Sequence, residues 1–268
     1  MRPILRYHGG KWKLAAWIIK HFPMHRIYVE PFGGAASVLL QKPRSYAEVY
    51  NDLDGEIVNL FRVARDRGAE LARVLELTPF SRAEYCCSFK CSEDPLEQAR
   101  RTVMRSFMGF GSNVLARGIQ SGFRSNSNRS GTTPAHDWRN YPEALPAIIE
   151  RLRGVVIECR DAVEVMDAHD GLETLHYCDP PYVHSTRSQA MHGSHGYTHE
   201  MSEEDHTRLA LALLRVRGFV VVSGYRSELY DNLYRLWDRV DCEALADGAR
   251  KRTESLWLSP NCPRGLFA

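Results

Sequence analysis

Hydrophobic and polar residues alternate along this chain in patterns that predict strands and helices in turn. Short apolar runs rich in β-branched and aromatic residues, typical of buried strands, occupy positions 27–32, 46–50, 155–159, 175–178 and 218–223. Apolar positions three or four residues apart predict helices over about 14–22, 55–67, 70–77, 95–110 and 202–216. Because strands alternate with helices, the pattern predicts an α/β fold with helices on both faces of the sheet.

Residues 68–150 break this alternation. Helical segments there are followed by a loop over 111–138 that is rich in Ser, Asn, Gly and Arg. We therefore predict a sheet domain formed by residues 1–67 and 151–268, into which a mostly helical subdomain of residues 68–150 is inserted. A chain of 268 residues is long enough for such a core and insertion.

Composition narrows the class of protein. With 44% hydrophobic and 25% charged residues, the chain is neither disordered nor collagen-like. It has no apolar run long enough to span a bilayer, and its first residues lack the apolar stretch of a signal peptide. Seven cysteines, an odd number, argue against a disulfide framework, and Cys86, Cys87 and Cys91 lack a second ligand pair at zinc spacing. We expect a cytoplasmic protein without a metal or a membrane partner.

Charge is distributed unevenly, although the net charge is only +2. Between residues 100 and 140 the single acid is Asp137, so the window carries a formal +6 and the rest of the chain −4. The arginines of this window are Arg100, Arg101, Arg105, Arg117, Arg124, Arg129 and Arg139. A basic stretch on an acidic body predicts a surface that faces a polyanion.

A glycine-rich turn follows the strand predicted at 27–32. Glycines at such a turn let the backbone approach a ligand closely, and a helix predicted from about residue 38 would offer free N–H groups. Asp52, after the next strand, is placed to accept the hydroxyls of a ribose, as in other nucleotide-binding sheets. Alternatively it caps the following helix, a role that Asn51 or Asp54 could fill instead.

The sharpest chemical signal is the turn after the strand at 175–178, which reads Asp179, Pro180, Pro181, Tyr182. Two prolines cannot continue a strand ladder, so they enforce a rigid turn at the strand's carboxyl end, where open α/β sheets bind ligands. The Asp179 carboxylate and the Pro180 carbonyl can accept both hydrogens of an exocyclic amine, while Tyr182 stacks on the ring that carries it. Two acceptors draw the amine toward a tetrahedral shape, which frees its lone pair for attack. The four residues, which we call the catalytic turn, are therefore predicted to be catalytic.

The catalytic turn and the segment Glu-Pro-Phe-Gly-Gly-Ala at 30–35 together resemble those of S-adenosylmethionine-dependent DNA adenine-N6 methyltransferases. The resemblance is to the Dam-like group, which places a target-recognition insertion between the cofactor motif and the catalytic motif, and it covers nearly the whole chain. It implies a Rossmann-like methyltransferase sheet, S-adenosylmethionine as methyl donor without a metal, double-stranded DNA as partner, and target recognition by residues 68–150.

The resemblance also implies which residues contact the cofactor. Asp52 corresponds to the ribose ligand and Asp161 to a contact with the cofactor's adenine. The full implied set is Tyr7, Lys11, Phe32, Gly33, Asp52, Asp161 and Asp179. Segments 223–225 and 254–257 correspond to regions that complete the sheet near the pocket. The family's turn is commonly Phe-x-Gly-x-Gly, and this chain has alanine, Ala36, where the last glycine falls.

The basic insertion supplies the predicted DNA contacts. Arginine binds phosphates, and Arg, Asn and Gln read base edges in the major groove. The candidates are Asn113, Arg117, Gln120, Arg124, Asn126, Asn128 and Arg129, of which Asn113, Arg117, Arg124, Asn126 and Arg129 are the principal set. The loop at 183–197, which contains His184, Arg187, His192 and His195, is expected to close over a flipped base.

These observations predict a site-specific methyltransferase that acts on N6 of an adenine flipped out of duplex DNA. A methyltransferase acting on RNA adenine is an alternative with the same chemistry. A methyltransferase acting on a protein amide is a further alternative. Glutamine-methylating relatives usually have asparagine at this position, so Asp179 counts against that alternative. A catalytically silent DNA-binding relative is the alternative from another class of protein.

Overall fold

A single mixed sheet organises the computed structural model, which describes residues 2–111, 115, 120–126, 128, 131–186, 196–245 and 251–263. Within that part of the chain the strand order is β3-β2-β1-β4-β5-β7-β6. The strands are β1 Ile27–Glu30, β2 Ala47–Asn51, β3 Val155–Glu158, β4 Thr174–Cys178, β5 Phe219–Gly224, β6 Asp238–Leu245 and β7 Lys251–Leu258. Strands β1 to β5 are parallel, and β7 is antiparallel to both β5 and β6. The predicted Rossmann-like sheet is confirmed.

Ten α-helices are described around this sheet. They are α1 Ala15–Lys20, α2 Gly55–Asp66, α3 Gly68–Glu76, α4 Arg82–Cys87, α5 Pro95–Met108, α6 Pro134–Arg139, α7 Leu145–Leu152, α8 Ala162–His169, α9 Glu203–Leu213 and α10 Glu228–Leu233. Side-chain caps start the longest of them: Asp54 caps α2, and Asp94 caps α5 just before Pro95. No helix among the described residues is long and apolar enough to cross a membrane.

Helices cover both faces of the sheet, as the alternation along β5 shows. Val221 belongs to the larger core cluster, which includes residues of α2, α3, α5 and α7. Val220 and Val222 point the other way, into a second cluster with residues of α9 and α10. Because every residue of β4 is buried, this strand and the turn after it are held from both sides.

A buried ionic cluster joins β2 to α7. The Glu48 carboxylate accepts two hydrogen bonds from Arg151, at 2.6 and 2.9 Å, and one from Lys42 at 2.7 Å. All three side chains are at least nine-tenths buried. Buried charges need such partners, so this cluster fixes α7 against the sheet.

The region predicted as an insertion, 68–150, contains α3 to α6 and most of α7, and its described residues contribute no strand to the sheet. Its helices are not separate from the core, since α5 packs along α2. Glu56 of α2 accepts a hydrogen bond from the Thr102 hydroxyl at 2.6 Å and pairs with Arg105. The boundaries of an inserted subdomain remain a prediction.

Two expectations from the sequence are wrong. The segment 31–41, expected to enter a helix near residue 38, forms a series of turns instead. The basic window is also less exposed than its formal charge suggests. Arg100 binds Glu84 and Glu97, Arg101 binds Glu97, and Arg105 binds Glu56, all with acids outside the window. Arg100 and Arg105 thus join α5 to α4 and α2, whereas the Arg101 pair lies within α5.

Candidate active site

A cavity of about 420 Å³ opens where the carboxyl ends of β1 and β4 meet. The strand order reverses direction between these two strands, which is where α/β sheets bind their ligands. The described lining comes from the N-terminal segment 7–11, the glycine turn 33–35, the ends of β2 and β3, the catalytic turn and the segment 197–201. Asp179 and Pro181 line this cavity, whereas Pro180 is buried and is not among the described lining residues.

The glycine turn is packed too closely for side chains. A Cβ on Gly33 would lie 2.1 Å from the ring of Tyr50. Gly34 has a φ of +47°, and a Cβ there would lie 2.8 Å from the ring of Tyr7. The Tyr50 hydroxyl donates to the Gly34 carbonyl at 2.7 Å. The turn thus presents bare backbone to the cavity, as glycine allows.

Ala36 also has positive φ, at +51°, and it is fully buried. The family pattern has glycine at this position, and glycine adopts such a conformation at little cost. That conformation costs an L-residue about 1–2 kcal/mol. It also explains why no continuous helix forms over 31–41.

Asp52 lies in the cavity wall and does not cap α2. Its Oδ2 accepts from the Gly34 N–H and its Oδ1 from the Asp54 N–H, both at 2.8 Å. The cap of α2 is Asp54, which accepts from the Glu56 N–H at 3.0 Å. Burial raises the pKa of Asp52 to about 6, although the two backbone hydrogen bonds work in the opposite direction.

The catalytic turn is held by a network around Asp179. The Ser223 hydroxyl of β5 donates to Asp179 Oδ1 at 2.7 Å, and Lys11 Nζ lies 2.9 Å from the same oxygen. Burial disfavours the charged form of Lys11, but Asp179 and Glu254 outweigh it and raise the pKa of Lys11 above its usual range. Lys11 is therefore an ammonium ion that touches the predicted catalytic carboxylate.

Tyr182 completes this network. Its ring is almost fully buried, and Lys11 Nζ lies 4.5 Å from the ring centroid. Tyr225 meets the ring edge-on, with centroids 4.6 Å apart. The Tyr182 hydroxyl donates to Glu254 of β7. Burial raises the pKa of Tyr182 well above its usual value, so the phenol remains a hydrogen-bond donor.

Asp161 lies on the opposite wall with both of its oxygens engaged. Its Oδ1 accepts from the Val163 N–H and so caps α8, and its Oδ2 lies 3.0 Å from Arg208 of α9. Burial works against the charged form, but the Arg208 pair and the cap outweigh it and lower the pKa of Asp161. Arg208 lines the same cavity and was not anticipated from the sequence.

The segment 197–201 was also not expected in the cavity wall. Tyr197 lies against Gly9, where an added Cβ would be 2.2 Å from its hydroxyl, and its ring centroid is 5.3 Å from that of His8. Gly9 has a φ of +72°. The glycine pair before Lys11, together with an aromatic residue just before α9, was the available signal for this contact.

The principal DNA candidates are only partly described. Arg124 donates to the Phe107 carbonyl at 3.0 Å, and the side chain of exposed Asn126 accepts from the Asn128 N–H at 2.9 Å. Three lie outside the described residues, namely Asn113, Arg117 and Arg129. In the loop after the catalytic turn, Arg187, His192 and His195 are outside them as well. The described part of the chain contains no group of His, Cys, Asp and Glu side chains placed to hold a metal ion.

Comparison with known proteins identifies the family. Residues 7–245 match the family described as D12 class N6 adenine-specific DNA methyltransferase. The DNA adenine methylase of Salmonella typhi is 25% identical over 247 residues, covering 88% of this chain and 84% of that protein. The DNA adenine methylase of Escherichia coli K12 is 25% identical over 246 residues, covering 87% and 84%. A type II methyltransferase of Lactococcus lactis subsp. cremoris, M1.LlaDCHI, is 26% identical over 253 residues, covering 88% and 85%.

The matched span contains the glycine turn, Asp52 and the catalytic turn, and so includes most of the cavity wall described above. The chain belongs to the D12 class of N6 adenine-specific DNA methyltransferases.

Proposed function

We propose that this protein transfers a methyl group from S-adenosylmethionine to N6 of an adenine flipped out of duplex DNA. The observation that carries the proposal is the position of Asp179, which lines the cavity at the switch point of the sheet and touches Lys11 and Ser223. The family supports an adenine-specific DNA methyltransferase, and the finer statements on cofactor, atom and flipping rest on this geometry.

The cavity fits the cofactor in size and charge. Its volume of about 420 Å³ is within the range of small-molecule sites. Seven carboxylic acids and two permanent cations, Lys11 and Arg208, are among the described lining residues. One acid, Glu30, is largely neutral at pH 7 because burial raises its pKa to about 8. The remaining excess of carboxylates suits a ligand that carries a sulfonium and an ammonium group.

The residues proposed to hold the cofactor surround this cavity. Tyr7 and Lys11 form one side, Phe32 and Gly33 the bare turn, and Asp52 the end of β2, with Asp161 opposite. When bound, S-adenosylmethionine supplies a methyl group on positively charged sulfur. Asp52 would receive the ribose, which requires that its carboxylate accept hydroxyl donors in addition to two backbone N–H groups.

Asp179 and Pro180 are proposed to bind the target amine. The Asp179 carboxylate and the Pro180 carbonyl each accept one N–H, which orients the nitrogen lone pair toward the methyl group. Methyl transfer to N6 would leave a positive charge on that nitrogen, and Asp179 is placed to accept the proton that N6 would then release. Tyr182 is proposed to stack on the purine ring.

Base flipping follows from the depth of this site. The amine of a paired adenine cannot reach a carboxylate beside a buried tyrosine, so the base must leave the stack, at a cost of a few kcal/mol. Phosphate and base contacts by the insertion would repay that cost. Its proposed DNA-contacting residues are Asn113, Arg117, Arg124, Asn126 and Arg129.

The test compares Asp179→Ala with the wild type on duplex oligonucleotides that contain adenine. We expect the variant to keep its fold and its cofactor binding, measured by calorimetry, and to form no N6-methyladenine. Asp167→Ala, at an exposed position of α8, is the matched control and should remain active. Undiminished methylation by Asp179→Ala would refute the proposal, and methylation of RNA but not of duplex DNA would assign the alternative substrate.

A further inference from the structure

Glu254 is a buried acid that the proposed reaction does not use. It lies on β7 and is only 4% exposed. It is not among the described residues that line the cavity, and it follows the span 7–245 that matches the family. Burying a carboxylate is costly unless partners compensate it, so its contacts indicate what it does.

Both described partners of Glu254 belong to the active-site network. The Tyr182 hydroxyl donates to its Oε1, and Lys11 Nζ lies 3.7 Å from the same oxygen. Lys11 in turn lies 2.9 Å from Asp179 Oδ1. Glu254 therefore contacts Tyr182 directly, and it is linked to Asp179 through Lys11, which pairs with both carboxylates.

We propose that Glu254 is a positioning residue, which anchors the Tyr182 ring by its hydroxyl and gives Lys11 a second acidic partner. This proposal rests on the proposed function. The hydrogen bond to Glu254 fixes the hydroxyl end of the Tyr182 ring against β7, so that the ring face stays aligned with the incoming base. When the target amine engages Asp179, the Lys11 ammonium keeps a carboxylate partner in Glu254 and does not compete for Asp179.

The pairing of β7 with β5 explains how Glu254 can support the catalytic turn. Gly224 pairs with Ser255 and Ser223 with Leu256, so β7 runs antiparallel beside the strand that presents Ser223 to Asp179. Glu254, the residue before Ser255 on β7, lies just beyond the end of β5 at Gly224. A rigid antiparallel pair thus carries both groups that support the catalytic turn.

The test is a double-mutant cycle between Glu254→Ala and Tyr182→Phe, with single-turnover methylation of duplex DNA as the readout. We expect Glu254→Ala to lower kcat by about 10- to 100-fold, the range for a lost hydrogen bond to a charged group. The cofactor Kd should change little, because Glu254 is not among the described residues that line the cavity. Tyr182→Phe should cost less in the Glu254→Ala background than in the wild type, because the hydrogen bond between Tyr182 and Glu254 is already lost.

Glu254→Gln separates the two contacts. The amide oxygen still accepts from Tyr182 but no longer neutralises Lys11, so we expect a kcat between those of the wild type and Glu254→Ala. Glu243→Gln, at an exposed position of β6, is the control and should match the wild type. If Glu254→Ala does not fold, the cycle is run with Glu254→Leu, which also removes the acceptor and keeps more of the side-chain volume.

Two results would overturn the inference: a kcat within about twofold of the wild type in the Glu254 variant, or fully multiplicative losses in the cycle. A wild-type protein that forms no N6-methyladenine would instead refute the proposed function. The two failures are therefore distinguishable.

Discussion

Removing the charge of Glu48 should destabilise the protein far more than removing an exposed charge. Glu48→Gln leaves the Arg151 guanidinium and the Lys42 ammonium buried beside a neutral amide. Breaking a buried ion pair from one side typically costs about 3–5 kcal/mol, because the remaining charge loses its compensation. That is a large part of the roughly 5–15 kcal/mol that stabilises a typical protein.

The pH dependence of this effect has a defined sign. Burial disfavours the charged carboxylate, but the hydrogen bonds from Arg151 and Lys42 outweigh it and lower the pKa of Glu48 below its usual value of 4.5. A lowered folded-state pKa means that the stabilisation is complete above the unfolded-state value and is lost as the pH falls through the folded-state value. The difference between wild type and variant should therefore shrink below about pH 4.5.

The assay is urea unfolding at pH 7 and at pH 4, followed by circular dichroism. Arg153→Gln is the control, since the Arg153–Glu150 pair is about two-thirds exposed and should contribute under about 1 kcal/mol. A Glu48→Gln variant that loses no more than this control would show that the cluster is not what holds α7 to the sheet.

Two further predictions concern single positions. Gly33→Ala should weaken cofactor binding and cost about 1–3 kcal/mol of stability, because the new methyl group meets the Tyr50 ring. Gly55→Ala is the control and should not destabilise the protein, because a Cβ there has no atom within 4 Å. Calorimetry measures the cofactor binding and thermal unfolding the stability of both variants. Burial lowers the pKa of His176 to about 4 against the pull of Asp170, so its contribution to stability should fall as the pH drops from 6.5 toward 4. His176→Gln should remove that part of the pH dependence of unfolding, and an unchanged profile would contradict the assignment.

The sequence predicted the parallel strands because they are continuous apolar runs, and the main helices because their apolar positions are periodic. Only the resemblance placed segment 254–257 of β7 in the sheet, and nothing in the sequence predicted β6. Asp238–Leu245 has charged residues at half of its positions, and one side of this strand is the edge of the sheet. Edge strands carry such residues to avoid pairing with other chains, so their hydrophobic signal is weak.

Within the site, residues that follow strands could be placed from the sequence, and contacts between distant segments could not. Asp52 and Asp179 were expected together because the carboxyl ends of parallel strands share one edge. The contact of Glu254 with Tyr182 spans 72 residues and depends on the register of β7 against β5. The ion pairs of Arg105 and Arg100 likewise required knowledge of how α5 packs.

The contact between Lys11 and Glu254 has a consequence for synthesis of the protein. Lys11 is synthesised long before Glu254, and both belong to the same network. A ribosome-bound chain that stops before β7 would already contain the glycine turn and Asp179 but would lack the hydrogen bond from Tyr182 to Glu254. Full activity should therefore arise only when translation has passed Glu254, and two separately expressed fragments divided before β6 would have to associate to regain it.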